Sequence, residues 1–302
     1  MFYLFVFIFG IIFNKTFNKF FLKRGFIDEV NHRSSHNSIA TRSGGLVLYT
    51  TLILYTIYLY FNGSQPFDFS IFIPISLLFI TGLYDDIYKV DFELKFVFQI
   101  LAAKILIDQG YIFNEIYLMG IIDVSFNRLL AQLFTILVFV TIFNAYNFID
   151  GIDGNVHLES VKNLFIIYIL SFEGFLFSKL IIFSIIILLI NLYFNLRQKN
   201  KVFMGDSGSL LIAILMIIFS FELSTNKVQG VLSPIFLIIF LYPLIDITRI
   251  ILVRLSNKKS PFIADTNHIH HLINFKFNNH LKSSLLILVI TLLIQLILIF
   301  LG

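Results

Sequence analysis

The 302-residue chain contains no cysteine. That excludes a disulfide framework and any thiolate metal site. Charge is scarce as well: 13% of residues are charged, against 58% hydrophobic and a mean hydropathy of +0.90. A soluble domain carries about 25% charged residues, so the deficit excludes an ordinary soluble globule and points to an integral membrane protein. No stretch reads as a separate soluble domain and no internal repeat stands out, so one polytopic domain over 1–302 is expected. No small-residue cleavage site follows the first apolar run, which favours a retained helix over a signal peptide. The positive excess, 22 Lys and Arg against 18 Asp and Glu, fits loop orientation and attraction to anionic lipid or phosphorylated substrates, with no nucleic-acid partner.

A membrane span needs about 20 mostly apolar residues. By that ruler the chain is all-α with about ten transmembrane helices, near 2–22, 44–62, 69–84, 94–108, 128–146, 158–175, 178–195, 207–223, 231–250 and 283–301. Loops 23–43, 85–93, 147–157, 196–206 and 251–282 fall on one side and hold most of the loop Lys and Arg; the opposite loops offer little beyond Lys227. The positive-inside rule makes the first set cytoplasmic and both termini external. Asp28, Asp91, His157, Lys199 and Asp265 are then inside, and Ser64, Asn114 and Asn226 outside. The segment 109–127 is too polar to span and reads as a small outer hairpin or interfacial piece, while Lys104 and Asp108 find no explanation in the sequence.

Five polar islands interrupt the apolar pattern on the expected cytoplasmic side. The central one, 144–154, ends a long apolar run in two Asn, two Asp and two Gly. Asn144, Asn147 and Asp150 recur every three residues and share one helical face. Such carboxylate and amide oxygens suit a hard cation and a phosphate, although a capped helix end has the same composition. Asp85 and Asp86 close an apolar helix side by side, followed by Lys95 and Gln99. Adjacent carboxylates there persist where a metal or cation offsets their repulsion, or where one acts as a base. Gly205-Asp206-Ser207-Gly208-Ser209 opens a further helix and fits either an N-cap or a metal-and-phosphate turn. Arg42 precedes Gly44-Gly45 at another helix start, a plausible phosphate contact. The last island joins Asp246, Arg249 and Arg254 to His268-Ile-His270-His271. In a basic, phosphate-facing loop these imidazoles read as donors to phosphate rather than as zinc ligands, which are usually drawn from i and i+4 or from separate elements.

The ordered set Gly82-x-x-Asp85-Asp86, Asn144-x-x-Asn147-x-x-Asp150-Gly-x-Asp153-Gly, Gly205-Asp206-x-Gly208-Ser209 and His268-x-His270-His271 resembles the polyprenyl-phosphate N-acetylhexosamine-1-phosphate transferase family, a ten-crossing architecture. The His run looks like the bacterial N-acetylglucosamine branch; Ile269 interrupts the consecutive His of the peptidoglycan translocase branch. Ile39 and Thr41 stand where the family often has proline, and 31–36 is closer to relatives acting on 6-deoxy-N-acetylhexosamines.

The resemblance implies transfer of an N-acetylhexosamine-1-phosphate, foremost GlcNAc-1-phosphate, from a UDP-sugar to undecaprenyl phosphate, releasing UMP and starting a cell-envelope glycan. It implies an enzyme of the inner (plasma) membrane with a cytoplasmic active site, in which a homodimer is compatible with the sequence. Its cofactor would be Mg²⁺, or Mn²⁺ in its place, held by Asp206 and Asn147. Asp85, Asp86, Asp150 and Asp153 would carry catalysis and site structure. Arg42, Lys95, Asn144, Arg249, His268, His270 and His271 would bind substrate. The rival of another class, a transporter or flippase, would place its charges at the membrane midplane.

Overall fold

A computed structural model of the chain describes residues 2–28, 39–63, 68–118, 120–171, 175–225, 230–260 and 267–301. The motif at 31–36, and Ser64, Asn226 and Asp265, lie outside the described residues. In chain order the elements are α1 (Phe2–Arg24), β1 (Ile27–Asp28), β2 (Ala40–Thr41), α2 (Gly44–Phe61), a 3₁₀ turn (Phe69–Ile71) leading into α3 (Phe72–Tyr88), α4 (Phe92–Asp108), β3 (Glu115–Leu118), β4 (Ile122–Ser125), α5 (Arg128–Ile149) and α6 (Asn155–Leu170). There follow α7 (Ser178–Asn195), β5 (Lys201–Val202), α8 (Gly205–Thr225), β6 (Val231–Leu232), α9 (Pro234–Ile239), α10 (Leu241–Ser256), α11 (Ile269–Phe277) and α12 (His280–Leu301).

Seven of these are long and apolar enough to cross a membrane: α1, α2, α3 with its leading turn, α5, α7, α8 and α12. The protein is thus an all-α membrane protein, with seven clear spans where the sequence suggested ten. The other three expected spans are helical but differ in kind. α4 has 17 residues and α6 has 16, and 16 residues rise only about 24 Å. The third is broken at Phe240 into α9 and α10. α6 falls short in apolarity because it carries Asn155, His157, Glu159, Ser160, Lys162 and Asn163, all buried against neighbouring helices.

α8 is the central post. It is apolar on every side, the pattern of a helix surrounded by protein, and α2, α3, α5, α6 and α9 pack around it. Its crossings with α2 and α3 are close because small residues meet there. A Cβ on Gly82 would stand 2.5 Å from the Ser207 Cα, and one on Gly45 would stand 2.3 Å from the Gly208 N. In membranes, where lipid competes for apolar surface, such small-residue contacts hold helices together by close packing.

Two short three-stranded sheets lie at the helix ends. β1 pairs antiparallel with β2, which pairs parallel with β5. β3 pairs antiparallel with β4 and parallel with β6, so the polar segment 109–127 contains the expected hairpin. Lys104 and Asp108, unexplained by sequence, form an i,i+4 ion pair on the exposed face of α4. The long loop expected at 251–282 contains the helix α11.

Gly82→Ala should lower the thermal midpoint of the purified protein, because its Cβ meets helix backbone that cannot rotate away, a cost of about 1–3 kcal/mol. Gly10→Ala meets only the δ-methyl carbons of Ile187 and Ile190 and should cost less. Equal midpoints for the two variants would show that the α3–α8 crossing is not tight.

Candidate active site

The site begins where α3 ends against the start of α8. A helix start leaves backbone N–H groups without intrahelical partners and concentrates positive partial charge. At the start of α8 the carboxylate of Asp86 meets that need from another helix. It accepts from Asp206 N at 2.9 Å, Ser207 N at 3.0 Å and Ser207 Oγ at 2.7 Å. Gly205 makes room: its φ is +72°, and a Cβ there would stand 2.6 Å from Asp86 Oδ2. Arg42 completes the shell, 3.7 Å from Asp86 and 2.9 Å from Asp28. Burial alone would lower the Arg42 pKa, but the charges of Asp28, Asp86 and Asp206 outweigh it and raise it. The Asp86 side chain is fully buried and its oxygens are engaged.

Asp85 is placed differently. It accepts from Val90 N at 2.9 Å, closing the turn after α3, and lies 3.9 Å from Lys95 Nζ. Lys95 donates to Asp206 Oδ2. Asp85 and Asn147 lie near Asp206, and Asn147 Nδ2 donates to Ser209 Oγ at 3.1 Å. Asn144 donates to Gln99 Oε1 at 2.7 Å, tying α5 to α4. Asp150 follows α5; burial, then the negative charges of Asp206 and Asp86, raise its carboxyl well above the usual range.

The His cluster forms the other wall. His268 precedes α11, with Nδ1 at 2.7 Å from Asp246 Oδ2, while Asp246 Oδ1 accepts from Ile269 N at 2.8 Å. Asp246 therefore caps α11 from α10, as Asp86 caps α8 from α3. Arg249 donates to the carbonyl of Asn267 and lies 3.6 Å from Asp246. The rings of His268 and His270 stack at 5.5 Å, and His270 lies 4.2 Å from His271. His270 is fully buried, with neither ring nitrogen bonded among the described residues. It packs against Gly151, where a Cβ would stand 2.2 Å from His270 Nε2 and 3.0 Å from His271 Nε2. Gly151 thereby seats the imidazoles against the loop that carries Asp150.

The structure thus brings together Arg42, Asp85, Asp86, Lys95, Asn147 and Asp206, with Asn144 of α5 and Asp150 just after it beside them, and Arg249, His268, His270 and His271 across Gly151. Asp153 it puts elsewhere. Lys201 Nζ donates to it at 2.6 Å and His280 Nδ1 lies 2.9 Å away, and these partners hold its carboxyl below the usual range despite burial. It ties the loop to β5 and to the start of α12. Lys201 and His280 carried no signal in sequence. Asp246 did carry one, as an acid inside an apolar run.

Among the described residues, no three Asp, Glu or His side chains converge as a ready-made ion cage, and Lys95 already stands on Asp206. The donor set still suits a divalent cation. Four carboxylates (Asp85, Asp86, Asp150 and Asp206) face the two cations Lys95 and Arg42, and that excess of negative charge favours a further cation. Mg²⁺ in phosphate-transfer sites takes one or two protein carboxylates and fills its shell with phosphate and water.

Burial, reinforced by the neighbouring His271, lowers the His270 pKa well below its ordinary value near 6.5. As pH falls, the unfolded imidazole takes its proton first, so this group's contribution to stability is intact above about pH 6.5 and declines below it. The thermal midpoint should therefore fall more between pH 7.5 and 5.5 in the wild type than in His270→Gln. Equal falls would show that His270 is not held neutral.

The sequence model of glycosyl transferase family 4 matches residues 69–224, a little over half of the chain. A Bacillus subtilis (strain 168) protein named a probable undecaprenyl-phosphate N-acetylglucosaminyl 1-phosphate transferase is 29% identical over 280 residues, covering 89% of this chain and 75% of its own length. The undecaprenyl-phosphate alpha-N-acetylglucosaminyl 1-phosphate transferase of Escherichia coli (strain K12) is 29% identical over 273 residues, 83% of this chain and 70% of its own. A decaprenyl-phosphate N-acetylglucosaminephosphotransferase of Mycobacterium leprae (strain TN) is 29% identical over 288 residues, 84% of this chain and 71% of its own. The matched half contains the acids of α3, the end of α5 and the start of α8 that build one wall of the site, and the chain belongs to glycosyl transferase family 4.

Proposed function

We propose that this protein transfers GlcNAc-1-phosphate from UDP-GlcNAc to undecaprenyl phosphate. An oxygen of the lipid phosphate bonds to the sugar-bearing phosphorus, the bond between the two phosphates of the UDP-sugar breaks, and UMP leaves. The observation that carries the reading is the convergence of paired carboxylates, Lys95, Arg42 and the His cluster at one end of the helix bundle. The names of relatives matching 83–89% of the chain support it.

Asp86 is spent on α8, so Asp85 is the member of the pair left to orient the acceptor phosphate. That phosphate is already largely ionised near neutral pH, and orientation is the larger service. Lys95 and Arg42 offset charge on the phosphates. His268, held through Nδ1 by Asp246, is fixed in place as a phosphate contact. Asp206, with Asn147, would hold Mg²⁺; bound there, the ion supplies charge neutralisation to the diphosphate. Asp153 keeps the loop after α5 in place.

We read the architecture as ten crossings in the plasma membrane, with α4, α6 and the α9–α10 pair as short or broken spans sheltered by their neighbours. The site shares its end of the molecule with Lys23, Arg24, Lys89, Arg197, Lys199, Lys258 and Lys259, which supports a cytoplasmic side for that end by the positive-inside rule.

The test is UMP release by purified protein given undecaprenyl phosphate and UDP-GlcNAc, UDP-GalNAc, UDP-glucose or UDP-MurNAc-pentapeptide in turn. UDP-GlcNAc should be the preferred donor, chelation should abolish release, and Mg²⁺ should restore it. Asp206→Ala should lower kcat by at least about 100-fold, some 2.7 kcal/mol of barrier. Turnover retained above about a tenth in that variant would move the cation elsewhere, and no release from any UDP-sugar would end the reading.

A further inference from the structure

A groove of about 750 Å³ between α1 and α7 takes no part in the proposed transfer. Its walls are Phe7 and Ile11 of α1 and Ile186, Leu189, Ile190 and Tyr193 of α7, and Lys15 and Arg197 stand at one end. The two helices are locked side by side. Asn14 Nδ2 donates to Asn191 Oδ1 at 2.8 Å, and Gly10 lets the δ-methyl carbons of Ile187 and Ile190 come within 2.9 Å of where a Cβ would be. Phe7, Ile11 and Lys15 recur every four residues and so line one face. At 1.5 Å per residue they span about 12 Å, close to the half-thickness of a hydrocarbon core of about 30 Å.

The end carrying the cations is the basic end of the molecule, shared with Lys19, Lys23 and Arg24 of α1 and with Lys199. The Arg197 guanidinium is steadied there over the rings of Tyr193 at 5.9 Å and Phe194 at 5.5 Å. No ion pair of the described residues includes Lys15 or Arg197. We propose that the groove binds an anionic phospholipid of the adjoining leaflet, its phosphate against Lys15 and Arg197 and one acyl chain along the wall between Phe7 and Tyr193. Charge selects this occupant. Any lipid chain can cover the apolar wall, but only a headgroup of net negative charge compensates two cations at the mouth of one apolar channel.

Full-length protein in nanodiscs would be irradiated with phosphatidylglycerol, or with phosphatidylcholine, each bearing a photoreactive group on one acyl chain, and the labelled peptides mapped. Phosphatidylglycerol should label the peptides spanning 7–15 and 186–197 at least about fivefold more than phosphatidylcholine does. The preference should vanish in K15Q/R197Q and persist in the charge-keeping K15R/R197K, which controls for folding. Equal labelling by both lipids, or a preference unchanged in K15Q/R197Q, would reduce the groove to ordinary lipid-facing surface. Displacement of the label by undecaprenyl phosphate at low mole fraction would assign the groove to the substrate lipid instead. Disulfide-linked dimers formed through Phe7→Cys and Tyr193→Cys would assign it to a second copy of the chain. Either result overturns the proposal.

Discussion

The structure hangs on one buried carboxylate, that of Asp86, seated on the backbone N–H groups at the start of α8. Helix starts inside a membrane protein have little water to fall back on, and each bare N–H there costs free energy. Here the cap comes from a different helix, so satisfying α8 also fixes where α3 ends. Asp85, next in the chain, is carried to the edge of the site, and Asp206, the second residue of α8, is turned toward Lys95. The closeness this requires is supplied by Gly82, whose missing side chain admits the backbone of Ser207. Asp246 repeats the device at the start of α11 and fixes His268. Two helix starts, each capped from a neighbour, define the two walls of the site.

The buried charges of α6 follow the same rule of local satisfaction. Glu159 and Lys162 are buried together on α6, 2.8 Å apart, and Lys162 also donates to Thr291 of α12. Gln295 donates to the carbonyl of Ile238, freed where α9 breaks into α10, and to Asn163. Paired and bonded, these groups join α6, α9 and α12 instead of forming an open polar path. That distinguishes them from the midplane charges of a transporter, which face a cavity.

Much of the site was legible in sequence because it is built from residues that are costly in an apolar chain. Asp85, Asp86, Asp150, Asp206 and the His run stand out against apolar surroundings, and the spacing of Asn144, Asn147 and Asp150 placed them on one helical face. What sequence could not supply was pairing. Asp150 and Asp153 look alike in the motif, yet one lies beside Asp206 and Asp86 while the other is taken up by Lys201 and His280, 48 and 127 residues away. Asp85 and Asp86 are adjacent, and only the approach of α8 separates a buried cap from a group at the site. The span count diverged for a related reason. An apolar run does not show where its helix ends or breaks, so α4 and α6 are shorter than a full span and α9 and α10 are separated at Phe240.

On the proposed function, Asp86 builds the site whereas Asp206 works in it. The most direct measurement pairs the thermal midpoint with the rate of UMP release for Asp86→Asn and Asp206→Asn. Asp86→Asn removes the charge that binds three donors, a loss of about 2–3 kcal/mol for a buried charge-assisted cap, and should lower midpoint and activity together. Asp206→Asn should abolish activity with the midpoint little changed. An Asp86→Asn protein that melts like the wild type yet is inactive would contradict the claim and return Asp86 to the chemistry.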